Sequence, residues 1–166
     1  MAALVEAKGF DLLAMGRPEG PGCYCAANNM LRVAIDQMGK NYKYVVIDSE
    51  AGMEHISRQT TRDIDVLFIV SDLTQKGIKT AAAMKALVKE LRTKVGKICL
   101  VINRSPDKLP PEIKKLIDSY GFELVETIPD DPALSNLEIK GIPTTQLPPD
   151  SPLRVGVNKL AAKLGL

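Results

Sequence analysis

Tyr44-Val45-Val46-Ile47-Asp48-Ser49-Glu50-Ala51-Gly52-Met53-Glu54-His55 begins as an apolar run, stops on a carboxylate and turns through a loop that holds a glycine. In a parallel sheet such a segment places Asp48 at the carboxyl edge, where open α/β folds bind their ligands. A carboxylate there can hold Mg²⁺ through water, and Gly52 lets a backbone N–H approach a terminal phosphate closely. The same residues equally suit a strand-ending Asp that caps the next helix. The lone His55 reads as an exposed or packed side chain before it reads as a ligand or base.

Working outward from this run, short β-branched segments alternate with longer ones of helical period. Strands are expected at 11–16, 44–48, 66–71, 98–103 and 123–128, the middle three apolar nearly throughout, as strands covered on both faces are. Met30, Leu31, Ala34, Ile35 and Met38 form one helical stripe, with Gly39 as its stop. A longer stripe runs through Ile78, Ala81, Ala82, Met84, Leu87, Val88, Leu91 and Val95 to a stop at Gly96. Pro111 opens a helix carrying Ile113, Leu116, Ile117 and Tyr120, with Gly121 past its end. Asp131-Pro132 and Ser151-Pro152 each pair a cap residue with proline at the first helical position. The expected fold class is therefore α/β, a mostly parallel sheet with helices on both faces. No repeat or low-complexity segment interrupts it, and the proline-rich 147–152 reads as a connector inside a single domain over 1–166.

Composition narrows the function classes. A net charge of +2 with both signs mixed along 166 residues leaves no electrostatic footprint for nucleic acid. Aromatic residues make up 4% of the chain, too few for a base-stacking platform. The longest apolar runs, such as 66–70 and 98–102, are far too short to span a bilayer. Glu6, Lys8 and Asp11 break up the start of the chain, which does not read as a signal peptide. With three cysteines and no secretion signal, a reducing cytoplasm is the expected compartment.

Two of those cysteines stand in Gly20-Pro21-Gly22-Cys23-Tyr24-Cys25, just before the helix expected to begin near Asn28. Thiols two residues apart can share a metal or pair with each other, and a nearby helix N-terminus favours the thiolate. One such pair supplies two ligands where a soft tetrahedral ion wants four, so the others must come from elsewhere. Cys99, in the middle of an apolar strand, is a poor candidate. A second copy of the same motif across a two-fold axis would complete the set. Redox thiols and unexceptional cysteines stay open on spacing alone. Asn103-Arg104 and Pro129-Asp130-Asp131-Pro132 fall at the same sheet edge as Asp48 and could hold a base between them. Ordinary strand-to-helix turn chemistry explains them as well.

The run from Gly16 through Cys25, with Asn28, resembles the CxC region of the CooC family, ATPases of the MinD/NifH-like P-loop class that assist nickel insertion into carbon monoxide dehydrogenase. The run from Asp48 to Arg58 is similar to that family's second switch. Thr61-Arg62-Asp63-Ile64-Asp65 and Val70-Ser71-Asp72 are similar to its next strand and turn, and Val101-Ile102-Asn103-Arg104 and Ile128-Pro129-Asp130-Asp131 to its adenine-side loops. The resemblance implies that Asp48 contacts Mg²⁺ through water, Gly52 senses the γ-phosphate of ATP, and Asn103 and the backbone around Asp131 face adenine. It further implies that Cys23 and Cys25 bind nickel or zinc between two subunits of a homodimer whose target is carbon monoxide dehydrogenase.

One departure is large. The family's glycine-rich, lysine-containing phosphate loop, G-x-x-x-x-G-K-[ST], does not occur. The expected fold is P-loop NTPase-like but without the first strand and phosphate loop, a single partial MinD/NifH-like domain starting about a third of the way through the family pattern. Such a chain is expected to be inactive as an ATPase alone. The alternatives are a non-enzymatic metal-binding or docking module, and a fragment of a NifH-like iron–sulfur reductase. The latter needs cluster cysteines that Asp48 to Arg58 lacks.

Overall fold

The computed structural model describes residues 2–15, 25–49, 63–91, 93–106 and 108–165. The chain divides into two compact units, Met1–Arg62 and Asp63–Leu166.

In the first unit, β1 (Ala2–Ala7) and β2 (Phe10–Met15) pair antiparallel across the two-residue turn Lys8-Gly9. Gly9 sits at φ 90°, a conformation glycine takes without steric cost. Helix α1 (Cys25–Met38) follows, then a 3-10 turn at Gly39–Asn41 and a segment without regular secondary structure through 44–49. The second unit is built on β3 (Asp63–Ser71), β4 (Lys94–Ser105) and β5 (Glu123–Pro129), parallel and in the order β3-β4-β5. Its helices are α2 (Gln75–Glu90), α3 (Pro111–Ser119), α4 (Pro132–Ile139) and α5 (Pro152–Lys163).

Alternation along β4 sends Leu100 and Ile102 to one face and Cys99 and Val101 to the other, and all four are buried. The first face packs on Ile78 and Ala81 of α2 and on Ile113 and Ile117 of α3, with Ile69 and Phe122 closing the cluster. The opposite face carries Ile128, which pairs with Asn103 and lies under Gly156 of α5. A Cβ at position 156 would stand 3.2 Å from Ile128 Cγ1, so the absent side chain lets helix and strand approach. The expected α/β fold with helices on both faces is what this unit shows.

Three expectations need correction. The strand at 11–16 forms as β2, but in an antiparallel hairpin, because a two-residue connection cannot join parallel strands. Its partner β1 was not anticipated, since Glu6 and Lys8 look like interruptions, when in fact Glu6 pairs with Asp11 inside the hairpin and Lys8 stands in its turn. Residues 44–48 take no regular secondary structure and join no ladder among the described residues, and Val46 is 92% exposed. Apolar character marks a run as strand-like without supplying a neighbour to pair with. Finally, the helix expected to reach Val95 and stop at Gly96 ends at Glu90, with Val95 and Gly96 already inside β4. Gly96 serves close strand approach: a Cβ there would lie 2.7 Å from the Asp65 carbonyl oxygen.

Candidate functional site

Because β3, β4 and β5 run parallel, their carboxyl ends open onto one edge, the position at which open α/β sheets take ligands. At the end of β3, Ser71 Oγ donates to the Asp72 carbonyl at 3.0 Å. Asp72 Oδ1 accepts from the Thr74 hydroxyl at 2.7 Å and the Thr74 amide at 3.1 Å, and these bonds hold its carboxyl below the usual range. Thr74 in turn caps α2, its hydroxyl accepting from Gly77 N at 2.9 Å.

At the end of β4 the ladder breaks. Asn103 pairs with Ile128 and Ser105 with Pro129, leaving Arg104 as a bulge residue at φ 53°. That left-handed conformation is uncommon for a residue with a side chain. Asn103 supports it, its Oδ1 accepting from Arg104 N at 3.0 Å. The amide NH₂ of Asn103 donates to no acceptor among the described residues, and the bulge directs Arg104 out into solvent. Directly alongside lie Pro129 and the exposed Asp130.

Asp131 plays another part. It is 3% exposed, and Oδ1 accepts from Ala133 N at 2.9 Å and Leu134 N at 3.3 Å, capping α4. Oδ2 accepts from Leu153 N at 3.1 Å and from the Ser151 hydroxyl, reaching the first turn of α5. The Ser151 bond foremost, with the three backbone amides, holds the Asp131 carboxyl below its ordinary range against the opposing effect of burial. Its side chain is therefore consumed by two helix ends, and only the backbone around it is left for a ligand.

The structure thus brings Asn103 together with 129–131. Asp48 belongs to the other unit, as an exposed residue of the irregular 44–49 segment. Cys23, Gly52 and His55 lie outside the described residues; Cys25 is the first residue of α1, and nothing is described of its side chain. Among the described residues no group of three or more His, Cys, Asp or Glu is placed to hold a metal ion. Cys99 is fully buried, and burial pushes its thiol pKa up, as befits a core residue. No described helix is long and apolar enough to cross a membrane. Sequence reasoning identified Ser151 as a cap but missed its bond to Asp131; two cap-proline pairs twenty residues apart were the available signal.

Comparison with known proteins fits this architecture. No family model matches the chain. It is 43% identical over 165 residues to an uncharacterized ATP-binding protein of Methanocaldococcus jannaschii, a match covering 97% of this chain and 64% of that protein. It is 31% identical over 149 residues to the carbon monoxide dehydrogenase accessory protein CooC of Rhodospirillum rubrum, covering 87% of this chain and 55% of CooC. The chain spans 53% to 64% of the length of these and a further such relative. Among solved structures, the cell division ATPase MinD of Pyrococcus furiosus superposes with a TM-score of 0.65 at 22% identity, over 83% of this chain and 58% of MinD. A ParA family ATPase from Chlorobium tepidum gives 0.68 at 22% identity, over 82% and 57%. In fold, the chain is an α/β protein of the MinD/ParA-like P-loop NTPase type.

Proposed function

We propose that the chain is part of a CooC-type ATPase, a cytoplasmic accessory protein that couples ATP binding to dimer rearrangement and to metal handling for carbon monoxide dehydrogenase. Within it, Asn103 and the backbone of 129–131 take the adenine, Asp48 meets Mg²⁺ through water, and Gly52 senses the terminal phosphate. Cys23 and Cys25 of two copies share one nickel or zinc ion. The observation that carries the nucleotide role is the register at the sheet edge, which sets Asn103 with its unspent NH₂ beside Pro129 and Asp130. Support for the metal role comes from the cysteine run that leads into the first residue of α1, together with the 31% identity to CooC.

The metal role is tested by native mass spectrometry after loading with Zn²⁺ or Ni²⁺. One ion per dimer is expected, with affinity falling at lower pH as the thiols protonate. Cys23→Ser or Cys25→Ser removes both the ion and the metal-dependent dimer, whereas Cys99→Ser changes neither. A monomer that binds one ion by itself, or a dimer that keeps its ion without both motif cysteines, overturns the shared site.

A further inference from the structure

The wall of the proposed base site formed by Pro129 and Asp130 is a short link between the end of β5 and the first turn of α4. Its position depends on where that first turn is held. Asp131 holds it from inside: one carboxylate oxygen takes the two α4 amides, and the other takes Leu153 N and the Ser151 hydroxyl of α5. Both Asp131 and Ser151 are buried, at 3% and 4% exposure, so this joint is shielded from competing water.

Helix α5 is itself fixed to the sheet at several points. Gly156 lies against Ile128, the residue that pairs with Asn103. At the far end, Lys163 Nζ bonds the Val125 carbonyl and pairs with Glu126 at 3.0 Å. Arg154 Nη1 donates to the Leu147 carbonyl at 2.8 Å, and Arg154 N donates to Ser151 Oγ at 3.4 Å. An anchored α5 therefore sets the Ser151 hydroxyl, that hydroxyl sets the Asp131 carboxylate, and the carboxylate sets the start of α4.

We infer that Ser151 is a positioning residue for base recognition: through Asp131, twenty positions away in the chain, it fixes the 129–130 wall beside Asn103. The inference rests on the proposed adenine site. A wall already in its binding arrangement costs the ligand nothing to order, whereas one that is only fractionally in place weakens apparent affinity by that fraction.

Titration of the whole 166-residue chain with adenosine, followed by amide chemical shifts, tests it at a temperature where every variant stays folded. Wild-type protein should show shifts at Asn103, Arg104 and Asp130. Ser151→Ala should weaken apparent affinity about fivefold while shifting the amides of Asp130 and Ala133 even without ligand. Ser151→Thr, which keeps the hydroxyl and the capping capacity, should restore most of the loss. Val88→Ala, a buried truncation in α2, serves as a control for lost stability alone and should leave adenosine affinity unchanged. Equal weakening by Ser151→Ala and Val88→Ala, or unaltered affinity in Ser151→Ala, overturns the positioning role while leaving the base site standing. If wild-type protein shows no adenosine shifts at the β4 and β5 ends, the base site fails and the positioning role falls with it.

Discussion

The two units of this chain are comparably rich in apolar segments but differ in what they bury. In the second, β4 alone contributes Cys99, Leu100, Val101 and Ile102 to the interior, each at most 2% exposed. In the first, none of the residues whose burial is described is buried: Phe10 is 65% exposed, Met30 66% and Val46 92%. A two-stranded hairpin has no second layer of its own, and a single helix stripe needs a surface to lie on. Periodicity therefore reports which face a segment could bury; burial itself requires a partner layer, which in the second unit three paired strands flanked by helices supply.

Truncations of matched chemistry should break the comparison most sharply. Leu100→Ala removes a fully buried side chain from between α2, α3 and the sheet and should cost about 2–5 kcal/mol. Val46→Ala removes a side chain that already faces water and should stay within about 0.5 kcal/mol. Urea unfolding followed by circular dichroism measures both. A Val46→Ala loss approaching that of Leu100→Ala would mean the first unit buries this run against something, such as a second copy of the chain.

A smaller effect is expected where backbone meets backbone. Gly96→Ala places a methyl carbon 2.7 Å from the Asp65 carbonyl oxygen, so β3 and β4 must part locally, at a cost of about 1–3 kcal/mol. Gly9, in the turn of the first unit, has nothing within 4 Å of a built Cβ, so only its φ of 90° resists substitution. Unfolding midpoints of Gly96→Ala and Gly9→Ala separate crowding from backbone conformation. Equal losses at the two positions would show that the close approach at Gly96 relaxes freely.

Much of the second unit was legible in the sequence because several signals agreed there. The apolar runs of β3, β4 and β5, the prolines opening α3, α4 and α5, and the caps at Asp131 and Ser151 all pointed one way, which is what a foldable sequence requires. The overrun of α2 into Val95 came from a stripe that stays apolar across the change from period 3.6 to period 2. Gly96 was read as a stop because a glycine looks the same in sequence whether it ends a helix or admits a neighbouring strand. At the candidate site, Asn103 and the 129–131 loop were legible as strand ends. The bulge at Arg104 was not, because a left-handed arginine has no compositional signal. The two roles of Asp131 could not be separated either, since cap chemistry and ligand chemistry use the same residue type.

The finest comparison is between two hydrogen bonds of the same kind, a hydroxyl donating to an aspartate, one in each unit. Ser151 donates to Asp131 where both are buried, and Tyr42 donates to Asp11 where Tyr42 is exposed. Ser151→Ala should cost about 1–2 kcal/mol, because a buried carboxylate loses a partner while keeping its charge. Tyr42→Phe should leave the unfolding midpoint at neutral pH unresolved from wild type, since water replaces the lost donor. The pH dependences should run in opposite directions. Asp131 has a lowered folded pKa, so its contribution is complete above the unfolded value of about 4 and is lost as pH falls through the folded one. Tyr42 has a raised pKa, chiefly from the bond to Asp11, so whatever it contributes is present below about 10 and is lost as pH rises through the folded value. Unfolding free energy measured from pH 2 to 7 should therefore fall less steeply on the acid side in Ser151→Ala, and ultraviolet titration should show a late-ionising component from Tyr42 that Tyr42→Phe removes. An acid limb unchanged by Ser151→Ala would mean that the three amides alone keep Asp131 ionised, and that the buried hydroxyl adds no more than the exposed one does.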